Sequence, residues 1–147
     1  MRKGLKVRGP GAGALVRCSR SFPGRADQLA QVRAFIAELL DGCPVAGDVV
    51  LVADELAANA VQHSRSGAAC GQFTVDVEVS EGRWVWVGVA DEGGRTPPQL
   101  RDCRADDGAD GRGLRIVAAL ATAWGVAGDA GGRTVWFLIG WGHSDWP

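Results

Sequence analysis

Residues 72–90 read QFTVDVEVSEGRWVWVGVA, and their alternation decides the fold. Phe73, Val75, Val77 and Val79 point one way along an extended chain, while Thr74, Asp76 and Glu78 point the other. After a turn at Glu81-Gly82, the stretch from Arg83 to Ala90 alternates again, through Trp84, Val85, Trp86, Val87 and Val89. A period of two is the mark of a half-buried strand, and two such strands joined by a tight turn make a hairpin.

On the N-terminal side the period changes from two to 3.6. Leu29, Val32, Phe35, Ile36, Leu39 and Leu40 recur at helical spacing between Ala26 and Leu40, and Asp41-Gly42-Cys43-Pro44 supplies the stop. A second helix is predicted from about Gly47 to His63, with Val49, Val52, Leu56 and Ala60 as its buried stripe. Ala14 to Phe22 reads as a strand broken by Pro23-Gly24, and Met1 to Gly13, basic and rich in Gly and Pro, reads as a mobile arm. On the C-terminal side, Gly93 to Asp110 is a long polar loop, of a length that in compact domains is functional or disordered. Gly113 to Ala123 gives a third helix, Asp129 to Gly132 a turn, and Arg133 to Ile139 a last strand. The order β-α-α-β-β-loop-α-β predicts one α+β domain over residues 14–140, with a tail at 141–147. The expected architecture is a two-layer sandwich, a mostly antiparallel mixed sheet covered on one face by three helices.

Composition narrows the function classes. The 147 residues are 46% hydrophobic and 22% charged, the balance of a soluble domain able to bury its own core. Sixteen Lys and Arg against seventeen Asp and Glu give a net charge of -1, so nothing electrostatic points to nucleic acid. Cys18, Cys43, Cys70 and Cys103 form no Cys-x-x-Cys pair, which reads as free thiols in a reducing compartment rather than a zinc site. No run approaches the roughly 18 apolar residues of a membrane span. Gly and Pro stand where a signal peptide would carry its apolar stretch, so the expected location is the cytoplasm.

Three segments carry candidate chemistry. Glu55, Asn59 and His63 lie four apart and share one helix face. A carboxylate and an amide oxygen one turn apart suit a hard cation such as magnesium, although a solvated polar face has the same spacing. Asp91 ends a buried strand and runs into Glu92-Gly93-Gly94, either as an ordinary turn or as an acceptor for an exocyclic amine beside backbone that a ring can approach. Gly111-Arg112-Gly113 sits where a helix begins, which would aim free backbone N–H groups at phosphate, with Arg112 or Arg115 adding charge. The Gly9-x-Gly11-x-Gly13 run lacks the strand and helix of a dinucleotide loop, and no Gly-x-x-x-x-Gly-Lys-Ser/Thr or Gly-x-Ser-x-Gly is present. Asp106 to Asp110 opens like a calcium loop, but Val117 stands where the closing glutamate belongs.

In combination, Glu55-x-x-x-Asn59 on a helix, Asp91-x-Gly93 after a strand and Gly111-x-Gly113 opening a helix resemble the N, G1 and G2 boxes of the GHKL ATPase superfamily. The final Gly132-Arg133-Thr134-Val135-Trp136-Phe137 looks like that superfamily's closing strand. The layout from Ala14 to Ile139, with Asp54-Glu55-Leu56-x-x-Asn59-Ala60-Val61-x-His63, Gly111-Arg112-Gly113-Leu114 and Trp124-Gly125-Val126, most closely resembles the short anti-sigma factor serine kinases of bacteria.

That resemblance implies ATP and Mg²⁺ as cofactors, Asn59 as the magnesium ligand and Asp91 as the adenine-amine acceptor. It implies that Gly93 lies against the base and that Thr134 lies near the adenine. Gly111 and Gly113 would hold the phosphate lid, and Glu55 would be the general base. His63, Arg112 and Leu114 fall inside the same motifs. The implied activity is phosphorylation of a serine or threonine on an anti-anti-sigma protein, with a sigma factor as the sequestered partner and a homodimer as the usual assembly. The alternatives are a sigma-sequestering module without phosphoryl transfer and a detached histidine-kinase catalytic domain, the latter disfavoured because no phosphoacceptor His sits on a dimerisation helix. The motif departs from Asp-x-Gly-x-Gly at one point: Arg95 stands at the second glycine position, with Gly94 one place early.

Overall fold

The computed structural model describes residues 6–7, 15–80, 82–94 and 109–141. Its strands are β1 (Lys6–Val7), β2 (Leu15–Pro23), β3 (Gln72–Ser80), β4 (Trp84–Asp91), β5 (Ala123–Asp129) and β6 (Gly132–Gly140). Its helices are α1 (Leu29–Leu39), α2 (Ala46–His63) and α3 (Ala109–Leu120). The six strands form one sheet in the order β1-β2-β3-β4-β6-β5, and every described pairing is antiparallel. The architecture is the α+β sandwich expected, with the helices on one face.

The β3–β4 hairpin sets the register. Val75 faces Val89, Val77 faces Val87 and Val79 faces Val85 across the pair, and Gly82, at φ 78, takes the left-handed conformation the turn demands. One step along, β4 pairs with β6 so that Val85, Val87 and Val89 oppose Ile139, Phe137 and Val135. These side chains form a continuous apolar floor. The helices lay their stripes on it: Val32 and Ile36 of α1, Val49, Val52, Leu56 and Ala60 of α2, and Val117 of α3 are all buried. Ala53 and Ala57 are buried on α2 as well, and small side chains there let the helix axis come close to the sheet. At one edge of the floor Phe22 stacks on Phe73, with centroids 5.6 Å apart, and Phe35 meets Phe22 edge-on at 5.9 Å.

The opposite sheet face carries Trp84, Trp86, Trp136 and Leu138, all partly exposed. Two strand glycines on this face make room for indoles. A Cβ on Gly88 would stand 2.5 Å from the Trp86 ring, and one on Gly125 would stand 2.8 Å from the Trp136 ring.

Several boundaries differ from those read in the sequence. Ala26–Gln28 is a 3-10 turn, so the first true helix starts at Leu29. Two residues of the N-terminal stretch read as an arm, Lys6–Val7, pair with β2. The third helix spans Ala109–Leu120 instead of Gly113 to Ala123. Glycine costs a helix interior roughly 1 kcal/mol, which argues against helix across Gly111 and Gly113, but packing of α3 on α2 overrides that local preference. Trp124-Gly125-Val126 belongs to β5, an edge strand with no counterpart in the sequence reading, because its Gly and Ala residues mask the alternation.

Candidate functional site

The C-terminal half of α2 runs along the floor toward the end of the sheet where β4 finishes. Glu55 and Asn59, one turn apart, are half-buried, and neither side chain is hydrogen-bonded to another described residue. His63 is the exposed last residue of the helix. The helix stops because Ser64 turns extended, its hydroxyl donating to the Ala60 carbonyl at 2.6 Å. Burial raises the Glu55 carboxyl above its ordinary pKa, and the neighbouring Asp54 carboxylate raises it further. Asp54 is itself engaged by Arg33 of α1 at 2.8 Å.

Asp91 is the last residue of β4 and is half-buried. One of its carboxylate oxygens accepts the Gly93 N–H at 2.6 Å, closing an Asx turn. Gly93 is buried at φ 79, and a Cβ on it would stand 2.1 Å from the Ala130 carbonyl oxygen in the β5–β6 turn. Gly94 lies against the end of α2, where a Cβ would come within 3.1 Å of the His63 carbonyl oxygen. The turn after Asp91 is thus wedged between the β5–β6 turn and the helix that carries Glu55 and Asn59.

Two residues that the sequence reading did not single out hold this wedge. Ser66 is fully buried, and its hydroxyl accepts the Glu92 N–H at 2.9 Å while its own N–H donates to the Ser64 hydroxyl at 3.0 Å. Arg133 is 8% exposed and donates to the Gly94 carbonyl at 2.7 Å. A serine in a short polar linker carries no local signal. Arg133 did carry one, since it shares the period-two face of Val135, Phe137 and Ile139.

The same parity moves Thr134 away from the site. Thr134 pairs with Ala90 on β4, and its methyl would stand 3.2 Å from a Cβ on Gly88, on the tryptophan face of the sheet and not the helix face. Gly111 and Arg112 fall in the first turn of α3, whose amides have no intrahelical partner, and Gly113 and Leu114 follow in the same helix. Arg115 of α3 is exposed. Arg95 and most of the long polar loop lie outside the described residues. Among the described residues no group of three His, Cys, Asp or Glu side chains converges as a metal cage. A cavity of about 320 Å³, lined by Val16, Leu40, Cys43, Val79 and Trp141 among others, lies at the other end of β4, next to the Gly82 turn and away from Asp91.

Residues 22–139 match the family model of the histidine kinase-like ATPase domain. No curated protein matches the chain. Among solved structures the chain is similar to the crystal structure of the RsbU and RsbW domains of Rv1364c from Mycobacterium tuberculosis, with 21% identity and a TM-score of 0.62. The likeness covers 84% of this chain and 32% of that one, and at this identity it speaks to the fold alone.

Proposed function

This chain belongs to the histidine kinase-like ATPase domain family, and we propose that it is an ATP-binding anti-sigma factor-type serine/threonine kinase. On this reading it phosphorylates an anti-anti-sigma protein and controls a sigma factor by partner switching, in the cytoplasm. The observation that carries it is the meeting of the Asp91-Glu92-Gly93-Gly94 turn with His63 at the C-terminal end of α2, the helix that carries Glu55 and Asn59, inside the matched stretch. That arrangement supports Asp91 as an amine acceptor and Asn59 as an oxygen donor for a cation, with the first turn of α3 inside the same matched stretch.

The donor set fits Mg²⁺. Asn59 presents an amide oxygen, half-buried and not taken by another described residue, which is the ligand type a hard cation prefers. With so few protein oxygens, most of the coordination sphere is left to triphosphate and water, as is usual for this ion. Bound Mg²⁺ would neutralise charge on the triphosphate. Asn59 holds the cation side, Asp91 accepts from the adenine amine, and Gly93 lets the base approach backbone. Glu55, as carboxylate, accepts the proton of the attacking hydroxyl, and its raised pKa makes it the stronger base. Phosphoryl transfer depends mainly on positioning and charge neutralisation, so this short list suffices.

A thermal-shift titration with ATP, with and without Mg²⁺, tests the nucleotide site. Ligand at about 100 times its Kd adds roughly 2.7 kcal/mol, a shift of several degrees. The shift is expected to depend on Mg²⁺ and to vanish in Asp91→Asn. No shift in the folded wild type rules the kinase out. Transfer of label from ATP to an anti-anti-sigma protein then separates the kinase from the second reading, a sigma-sequestering module without transfer. Arg95 at the second glycine position of the motif is the feature that favours that second reading.

A further inference from the structure

β6 directs Arg133, Val135, Phe137 and Ile139 at the helix layer, and all are buried. Three are core hydrocarbons. A guanidinium in that row gives up most of its water, so its presence is explained by what its planar fork holds. One arm donates to the Gly94 carbonyl at 2.7 Å. Arg133 is also the cross-strand partner of Asp91 in the β4–β6 register.

The turn between these contacts is also held by other groups: the Ser66 hydroxyl accepts the Glu92 N–H at 2.9 Å, and the Glu92 carboxylate accepts the Gln72 N–H at 3.1 Å. Asp91 accepts from Gly93, and Gly93 is pressed on the Ala130 carbonyl of the β5–β6 turn. Gly94 lies three residues beyond the end of β4, where the chain passes the end of α2. Arg133 is the buried charged side chain that fixes that passage.

We infer that Arg133 is a positioning residue for the nucleobase: by holding the Gly94 carbonyl it fixes the turn that presents Asp91, and so sets both nucleotide affinity and base preference. The inference rests on the nucleotide-site reading above. The contact runs through the loop backbone: one of the five guanidinium N–H groups is committed to the Gly94 carbonyl. A loosened turn lets the Asp91 carboxylate swing, and discrimination for an exocyclic amine falls with it.

The test is calorimetric titration of wild type, Arg133→Lys and Arg133→Met with Mg-ATP and with Mg-ITP, whose base carries a carbonyl in place of the amine. Wild type should prefer ATP. Arg133→Met should weaken ATP about tenfold or more and ITP far less, collapsing the ratio, and Arg133→Lys, which keeps a donor, should recover part of it. An equal loss for both nucleotides would mean that Arg133 only supports the fold, and overturns the inference. Unchanged affinities and ratio in both variants overturn it as well. Should Arg133→Met fail to fold, Arg133→Lys decides alone: a reduced ratio supports the inference and an unchanged one refutes it. Absence of ATP binding in wild type is a different result, because it removes the nucleotide site itself.

Discussion

Glu55 is placed at a cost to stability. Its carboxyl is held above the ordinary glutamate value of 4.5, first by burial and then by the Asp54 charge. The folded protein therefore holds that proton more tightly than the unfolded chain does. Stability contributed by the neutral form is full below that value and is lost as the pH rises through the folded-state pKa. Above both values the ionised group is a constant burden. Glu55→Gln removes it, so the melting temperature should rise at pH 7 and change little at pH 4, while phosphoryl transfer is lost and Mg-ATP binding persists. A melting temperature lowered at pH 7 would show that Glu55 is a structural residue and would remove the argument for it as a base.

Among the elements, the junction of β2, β3 and α1 bears the most identifiable load. Phe22, Phe73 and Phe35 share one aromatic cluster, and Phe22 and Phe73 are each 1% exposed. Phe22→Ala is expected to cost about 3–5 kcal/mol in urea unfolding, with the denaturant slope unchanged. A loss under about 1 kcal/mol would mean the cavity collapses and the cluster carries less than its burial suggests. The hairpin, α1 and α2 were legible because each repeats one period over many residues. β5 was not, because Gly125, Ala127 and Gly128 give alternation nothing to act on. The onset of α3 was missed for the converse reason: its glycines speak against helix locally, and only the neighbouring α2 supplies the packing that outweighs them.

Over the whole molecule, the antiparallel order β1-β2-β3-β4-β6-β5 places β3 and β4 at the centre and β1 and β5 at the edges. Amide exchange should be slowest in β3, β4 and β6, faster in β5, and fastest in β1, with MgATP slowing the Asp91–Gly94 turn and the C-terminal half of α2. Equal protection of β5 and β4 would contradict the edge assignment. The sequence by itself determined the α+β class, the β3–β4 hairpin, the buried stripes of α1 and α2, and the motifs containing Glu55, Asn59 and Asp91. Each of these rests on periodicity or on residues close together in the chain. Only the tertiary structure decided that Gly94 lies on the end of α2, that Ser66 and Arg133 hold the turn, and that Thr134 faces the tryptophans. Those contacts join residues far apart in sequence, and strand pairing, which no local propensity encodes, is what brings them together.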